Sequence, residues 1–147
     1  MKKLFLILIS VAAMSAFVSC DDKPVTADKL PSKAKTFLKT YFSGIDILSV
    51  IRDEDGVYDV DLVDGTEVDF RSNGNWKKVD CHGRLMPTGF FPAEIVTYVA
   101  TNCPGQHIEE IEFENNRYKV GLSDEFGWET DADLLFDKNG NFIVLDD

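Results

Sequence analysis

Seven carboxylates in two short stretches carry the first hint of chemistry. Asp59, Asp61, Glu67 and Asp69 alternate with Tyr58, Val60, Leu62, Val68 and Phe70, and Glu129, Asp131 and Asp133 keep the same every-other-residue rule farther along. A period of two sends alternate side chains to one face of a strand, so these acids are expected to project together from neighbouring strands. Carboxylates gathered in this way can take a cation or a basic segment, or they can simply keep a wet face soluble. Like charges opposed across strands are destabilising, by roughly 0.2–1 kcal/mol per pair, which favours a partner that offsets the repulsion. Phe126 and Trp128 lie just before the second acidic stretch, and an aromatic anchor beside an acidic rim is a common interface composition. The alternative for Trp128 is an edge-strand residue packed on its neighbour.

Other chemistry fares less well. The chain has no Gly-x-Ser-x-Gly elbow, His-Glu-x-x-His, Gly-rich phosphate loop or Cys-x-x-Cys, so no enzyme and no cofactor are expected. His82 follows Cys81 and His107 lies four residues beyond Cys103, but Pro104-Gly105 would break the helix that put Cys103 and His107 on one face. Both histidines therefore read as loop or solvent-exposed residues, and no metal is assigned. Asp137-Lys138-Asn139-Gly140-Asn141 has the look of a calcium loop, yet there glycine stands sixth with a glutamate six residues on. Here Gly140 is fourth and no glutamate follows at that place. A hairpin explains the segment better.

The elements that must position these residues come in two sets. Ser72-Asn73-Gly74-Asn75-Trp76 is echoed by Lys138-Asn139-Gly140-Asn141-Phe142, Leu30-Pro31 by Phe91-Pro92, and Tyr58, Val60 and Leu62 by Tyr118, Val120 and Leu122. Such correspondence predicts two copies of one unit. In each, proline opens a helix and glycine closes it: Ala34, Phe37, Leu38 and Tyr41 form one apolar stripe before Gly44, and Ile95, Val96, Val99 and Cys103 another before Pro104-Gly105. About four alternating strands follow, joined by loops too short for parallel crossovers. Asn-Gly is the signature of a type I′ hairpin turn and is expected to close the last hairpin of each unit. The fold class is therefore α+β: two tandem helix-plus-four-strand repeats, residues 30–90 and 91–147, forming one antiparallel sheet of about eight strands. Two helices would cover one face and leave the other open and acidic.

Residues 1–19 read as a signal peptide: two lysines, then an apolar stretch from Leu4 to Val18. Ser19-Cys20 resembles a lipoprotein processing site, making Cys20 the lipidated first residue with 20–29 as a polar linker; simple cleavage nearby is the alternative. The chain carries 15 Lys+Arg against 26 Asp+Glu, and loss of Lys2 and Lys3 leaves 13 against 26, a net charge of −13. Nucleic acid is excluded as a partner, because its phosphates require a basic footprint. Cys81 and Cys103 could pair in an oxidising envelope or remain buried thiols.

The Leu/Phe-Pro helix start, the Asn102-Cys103-Pro104-Gly105 stop, the Tyr-x-Val-x-Leu strand and the Asn-Gly-Asn-aromatic hairpin, duplicated behind an export signal, resemble the secreted PepSY-like proteins. These are similar in fold to the protein inhibitor of β-lactamase. The resemblance covers residues 30–147 and implies a non-catalytic envelope module, exported to the periplasm or held at the outer membrane or surface of a Gram-negative-type envelope, with any membrane tie made through Cys20. Its expected partner is an envelope protein or peptide, bound inhibitor-fashion on the open face; the resemblance carries over no contact residue, and the candidates Asp59, Asp61, Glu67, Asp69, Phe126, Trp128, Asp131 and Asp133 follow from the acidic alternation and the aromatic loop. Calcium or small-ligand sensing is the alternative.

Overall fold

The computed structural model describes residues 22–130 and 132–146. The strands are β1 Lys23–Pro24, β2 Ile47–Arg52, β3 Tyr58–Leu62, β4 Glu67–Phe70, β5 Trp76–Asp80, β6 Gln106–Glu114, β7 Arg117–Asp124, β8 Asp133–Asp137 and β9 Phe142–Asp146. Helix α1, Ser32–Tyr41, precedes β2, and α2, Ala93–Asn102, joins β5 to β6. All strands pair antiparallel in chain order, giving an α+β fold with a single nine-strand sheet. The additional strand, beyond the eight expected, comes from the stretch read as linker: Lys23 and Pro24 pair with Arg52 and Ile51.

Register explains which face is buried. One apolar row runs straight across eight strands, Val50, Val60, Val68, Val79, Ile111, Val120, Leu134 and Leu145, each residue the cross-strand partner of the next. Every member except Leu145 at the edge is buried. Both helices lie over this face. Ala34 and Leu38 of α1, and Ile95 and Val99 of α2, are four apart and buried, so each helix turns one stripe to the sheet. Phe37 meets Phe70 edge-on at 5.5 Å between ring centres, and Tyr98 meets Phe136 in the same way at 5.3 Å.

The two Asn-Gly-Asn hairpins are not the type I′ turns expected. Asn73 and Asn139 keep negative φ, whereas Gly74 and Gly140 sit at φ +82° and +84°. Gly74 N–H donates to the Arg71 carbonyl and Arg71 N–H to that of Asn75; Gly140, Asp137 and Asn141 repeat this pattern. This is a type I turn closed by a left-handed glycine, with a bulge in the following strand. Glycine is doubly required: a Cβ at Gly74 would lie 2.8 Å from Pro31 Cβ, and one at Gly140 would lie 2.8 Å from Pro92 Cβ. The helix-opening proline and the hairpin glycine thus press on each other, which ties two distant motifs to one packing contact. Among the described strand hairpins, both central residues are left-handed at Asn115-Asn116, between β6 and β7.

Candidate functional site

Asp59, Asp61, Glu67 and Asp69 all stand on the face opposite the helices. Asp59 is the direct cross-strand partner of Asp69, and Asp61 of Glu67. Pairing carries both rows onward. Asp61 and Glu67 continue to Asp80 and Glu110, four acids abreast on β3 to β6. The parallel row reads Ile51, Asp59, Asp69, Lys78, Glu112, Lys119, Leu135 and Val144. Asp80 and Glu110 were missed in the sequence, because their place depends on the β5–β6 pairing across the whole of α2. The one available signal was Asp80, which the β4–β5 hairpin sets opposite Glu67.

Cations reach these acids unevenly. The bulge in β5 sets two lysines against Asp69, yet Lys78 turns its ammonium to Glu110 at 2.9 Å and Lys77 to Glu112 at 3.8 Å. Asp59 and Asp69 form no ion pair among the described residues. Burial pushes the Asp69 carboxyl up to about 6, and the charge of Asp59 adds to the rise. Burial likewise raises Asp59, with Asp53, Asp22 and Asp61 acting in the same direction. Asp61 accepts a hydrogen bond from the Ser49 hydroxyl. Glu67 is held by His82, whose Nε2 is 3.0 Å from Glu67 Oε1 while its Nδ1 is 3.4 Å from Asp80 Oδ1. These three residues are the described group whose ligand atoms could converge on a metal. A carboxylate faces each ring nitrogen, so the His82 side chain spans β4 and β5.

The second acidic stretch is built differently. Asp133 lies on the open face but pairs with Lys119 at 2.8 Å. Glu129 stands in the β7–β8 connection, bridged to Ser123, and Asp131 lies outside the described residues. Phe126 and Trp128 are 77 % and 74 % exposed on that connection, so Trp128 is not a packed edge residue. The Asp124 carboxylate fixes the loop by accepting the N–H groups of Phe126 and Trp128. Gly127 backs onto Gly83, next to His82, so the loop adjoins the Glu67 end of the acidic rows rather than Asp59 and Asp69.

Other reactive types serve the scaffold. Cys81 and Cys103 are free thiols; Cys81 is buried beside Met86, and burial pushes its thiol up to about 11, far from a nucleophile's range. His107 is a strand residue rather than a loop one. Its Nε2 lies 3.0 Å from both the Ser123 hydroxyl and the Gly83 carbonyl. Ser123 is fully buried, so this Ser–His contact stitches β7 to the 81–90 loop and offers no accessible nucleophile. Asp137 accepts hydrogen bonds from Asn139 N–H, Asn141 N–H and the Asn141 amide, which saturate its carboxylate inside the turn and hold it below its ordinary value. No described helix is long and apolar enough to cross a membrane.

The architecture is an antiparallel meander with two helices on one face and a charged face left open. The chain belongs to the family described as "Putative beta-lactamase-inhibitor-like, PepSY-like", matched over residues 56–144. A "putative calcium-regulated periplasmic protein" of Bacteroides thetaiotaomicron is 32 % identical with a TM-score of 0.76, over 86 % of this chain and 97 % of its own. Two proteins of Bacteroides vulgatus, each described as a "putative periplasmic protein", are 31 % and 30 % identical with TM-scores of 0.75 and 0.74. They cover 88 % and 86 % of this chain and 100 % and 99 % of their own. No curated protein matches the chain.

Proposed function

We propose that this is an exported, non-catalytic envelope protein that holds a basic segment of another envelope protein or peptide on its open sheet face, in the manner of an inhibitor. The observation that carries this reading is the like-charge step at Asp59 and Asp69. Two carboxylates are set directly opposite each other with no ion pair among the described residues, beside the Asp61–Glu67–Asp80–Glu110 row. A lysine or arginine side chain laid across β3 and β4 would relieve repulsion that the chain itself leaves in place. The exposed Phe126 and Trp128 would supply an apolar anchor at the Glu67 end. Two tandem units, residues 30–90 and 91–147, are supported by the matched helix–glycine contacts at Gly74 and Gly140. Attachment through a lipid on Cys20, which lies outside the described residues, is part of the same proposal.

Capture from native envelope extract tests it. The protein should retain a specific partner that Asp59→Lys with Asp69→Lys loses and Lys119→Glu, on the second half of the same face, keeps. Equal capture by all three would sink the reading.

A divalent cation shared by the acidic rows is the second reading, favoured by the same oxygen-rich geometry and by the description of one relative as calcium-regulated. Added calcium should then raise the melting temperature, and Asp59→Asn should abolish the rise; under the first reading calcium leaves it nearly unchanged.

A further inference from the structure

The two edges of the sheet are finished in opposite ways. At one edge β1 is only two residues long and consists of a lysine and a proline. Short strands, lysine and proline are the usual means by which an edge is kept from pairing with another chain. At the other edge β9 reads Phe142-Ile143-Val144-Leu145-Asp146, with no lysine, proline or glycine and every residue exposed. Alternate N–H and C=O groups of β9 point away from β8. Its apolar side chains line both faces of the edge: Val144 continues the open-face row beside Leu135, and Leu145 ends the buried row beside Leu134. Ile143 is the extra residue of the β8–β9 bulge.

We propose that β9 pairs antiparallel with β9 of a second copy of this chain, joining two sheets edge to edge into a closed dimer. Three features select a second copy. The acidic residue of the strand, Asp146, stands at one end, so antiparallel alignment carries the two copies' acids to opposite ends of the seam. A two-fold axis at Val144 sets Ile143 against Leu145 and Phe142 against Asp146, and no like charges face each other. The blocked β1 edge makes the assembly stop at two, as an isologous contact should, instead of growing into a filament. Both acidic faces then lie on the same side of one continuous sheet, able to grip a partner at two points.

Sedimentation of the purified protein over about a hundredfold range of concentration tests the proposal, because a reversible dimer follows mass action. The wild type should pass from monomer to dimer, a twofold rise in mass, and its melting temperature should rise with concentration. Val144→Lys should remain monomeric with an unchanged circular dichroism spectrum, and Lys23→Ala should dimerise like the wild type. Should Val144→Lys fail to fold, Ile143→Asp carries the same test, since the bulge residue has no cross-strand partner in β8. A wild type that stays monomeric throughout, a β9 variant that still dimerises, or growth beyond two copies would overturn the proposal.

Discussion

Residues 30–90 and 91–147 each contribute one helix and four strands to the fold and differ in what they show to solvent. Phe70 and Phe136 are both fully buried under an aromatic of the overlying helix, and Gly74 and Gly140 both press on a helix-opening proline. On the open face the likeness ends. Where the first half carries Asp59, Asp61 and Asp69, the corresponding positions of the second hold Lys119, Gly121 and Leu135. Lys119 reaches both Asp133 and Asp146, so the open-face carboxylates beside it have a cation of their own half. In the first half the lysines nearest Asp69 are drawn away to Glu110 and Glu112. Core positions are held by packing, which tolerates few substitutions, while an exposed face is free to diverge toward a ligand.

The largest effect should come from the shared skeleton. Phe70→Ala and Phe136→Ala each leave a cavity under a helix, and each should cost about 3–5 kcal/mol in chemical denaturation. A loss confined to one of them would break the equivalence of the halves. Next come Gly74→Ala and Gly140→Ala, which combine a strained left-handed backbone with a Cβ forced against proline; roughly 2–4 kcal/mol is expected for each.

The surface difference should appear as pH dependence. Asp69 is held at about 6, above its ordinary 3.8, so the folded state favours the protonated carboxyl. The stability it contributes is complete below about pH 4 and is lost as pH rises to about 6. Asp69→Asn should therefore remove that loss and raise stability at pH 7 by about 1 kcal/mol, after discounting for solvent screening. Leu135→Asn, at the matching place, should leave the pH profile unchanged. Denaturation at pH 4 and pH 7 reads both. The smallest effect is expected for Lys119→Ala, whose half-exposed ion pairs are worth at most about 0.5 kcal/mol and should weaken further in high salt.

Local pattern carried the element types a long way. Alternation of apolar and acidic residues placed β3, β4, β7 and β8, and apolar residues three and four apart placed α1 and α2 between a proline and a glycine. The turns were misread because Asn-Gly suits both a type I′ turn and a type I turn with a following left-handed glycine. The choice between them rested on the helix start pressing against Gly74 and Gly140, a contact between residues some forty positions apart. β1 escaped notice for a related reason: two residues have no period, and Lys23–Pro24 is a strand only because Ile51 and Arg52 are beside it.

The sequence by itself determined that four acids of the first half share a wet face, because side-chain direction in a strand depends only on parity. Tertiary structure decided which charges meet. Asp80 and Glu110 joined the acidic rows, and His82 came to rest between Glu67 and Asp80, through pairings between β4, β5 and β6. Coulombic interactions fall off with distance in space rather than along the chain, so the juxtaposition of Asp59 with Asp69 and the pairing of Lys119 with Asp133 and Asp146 exist only once the sheet has closed its register.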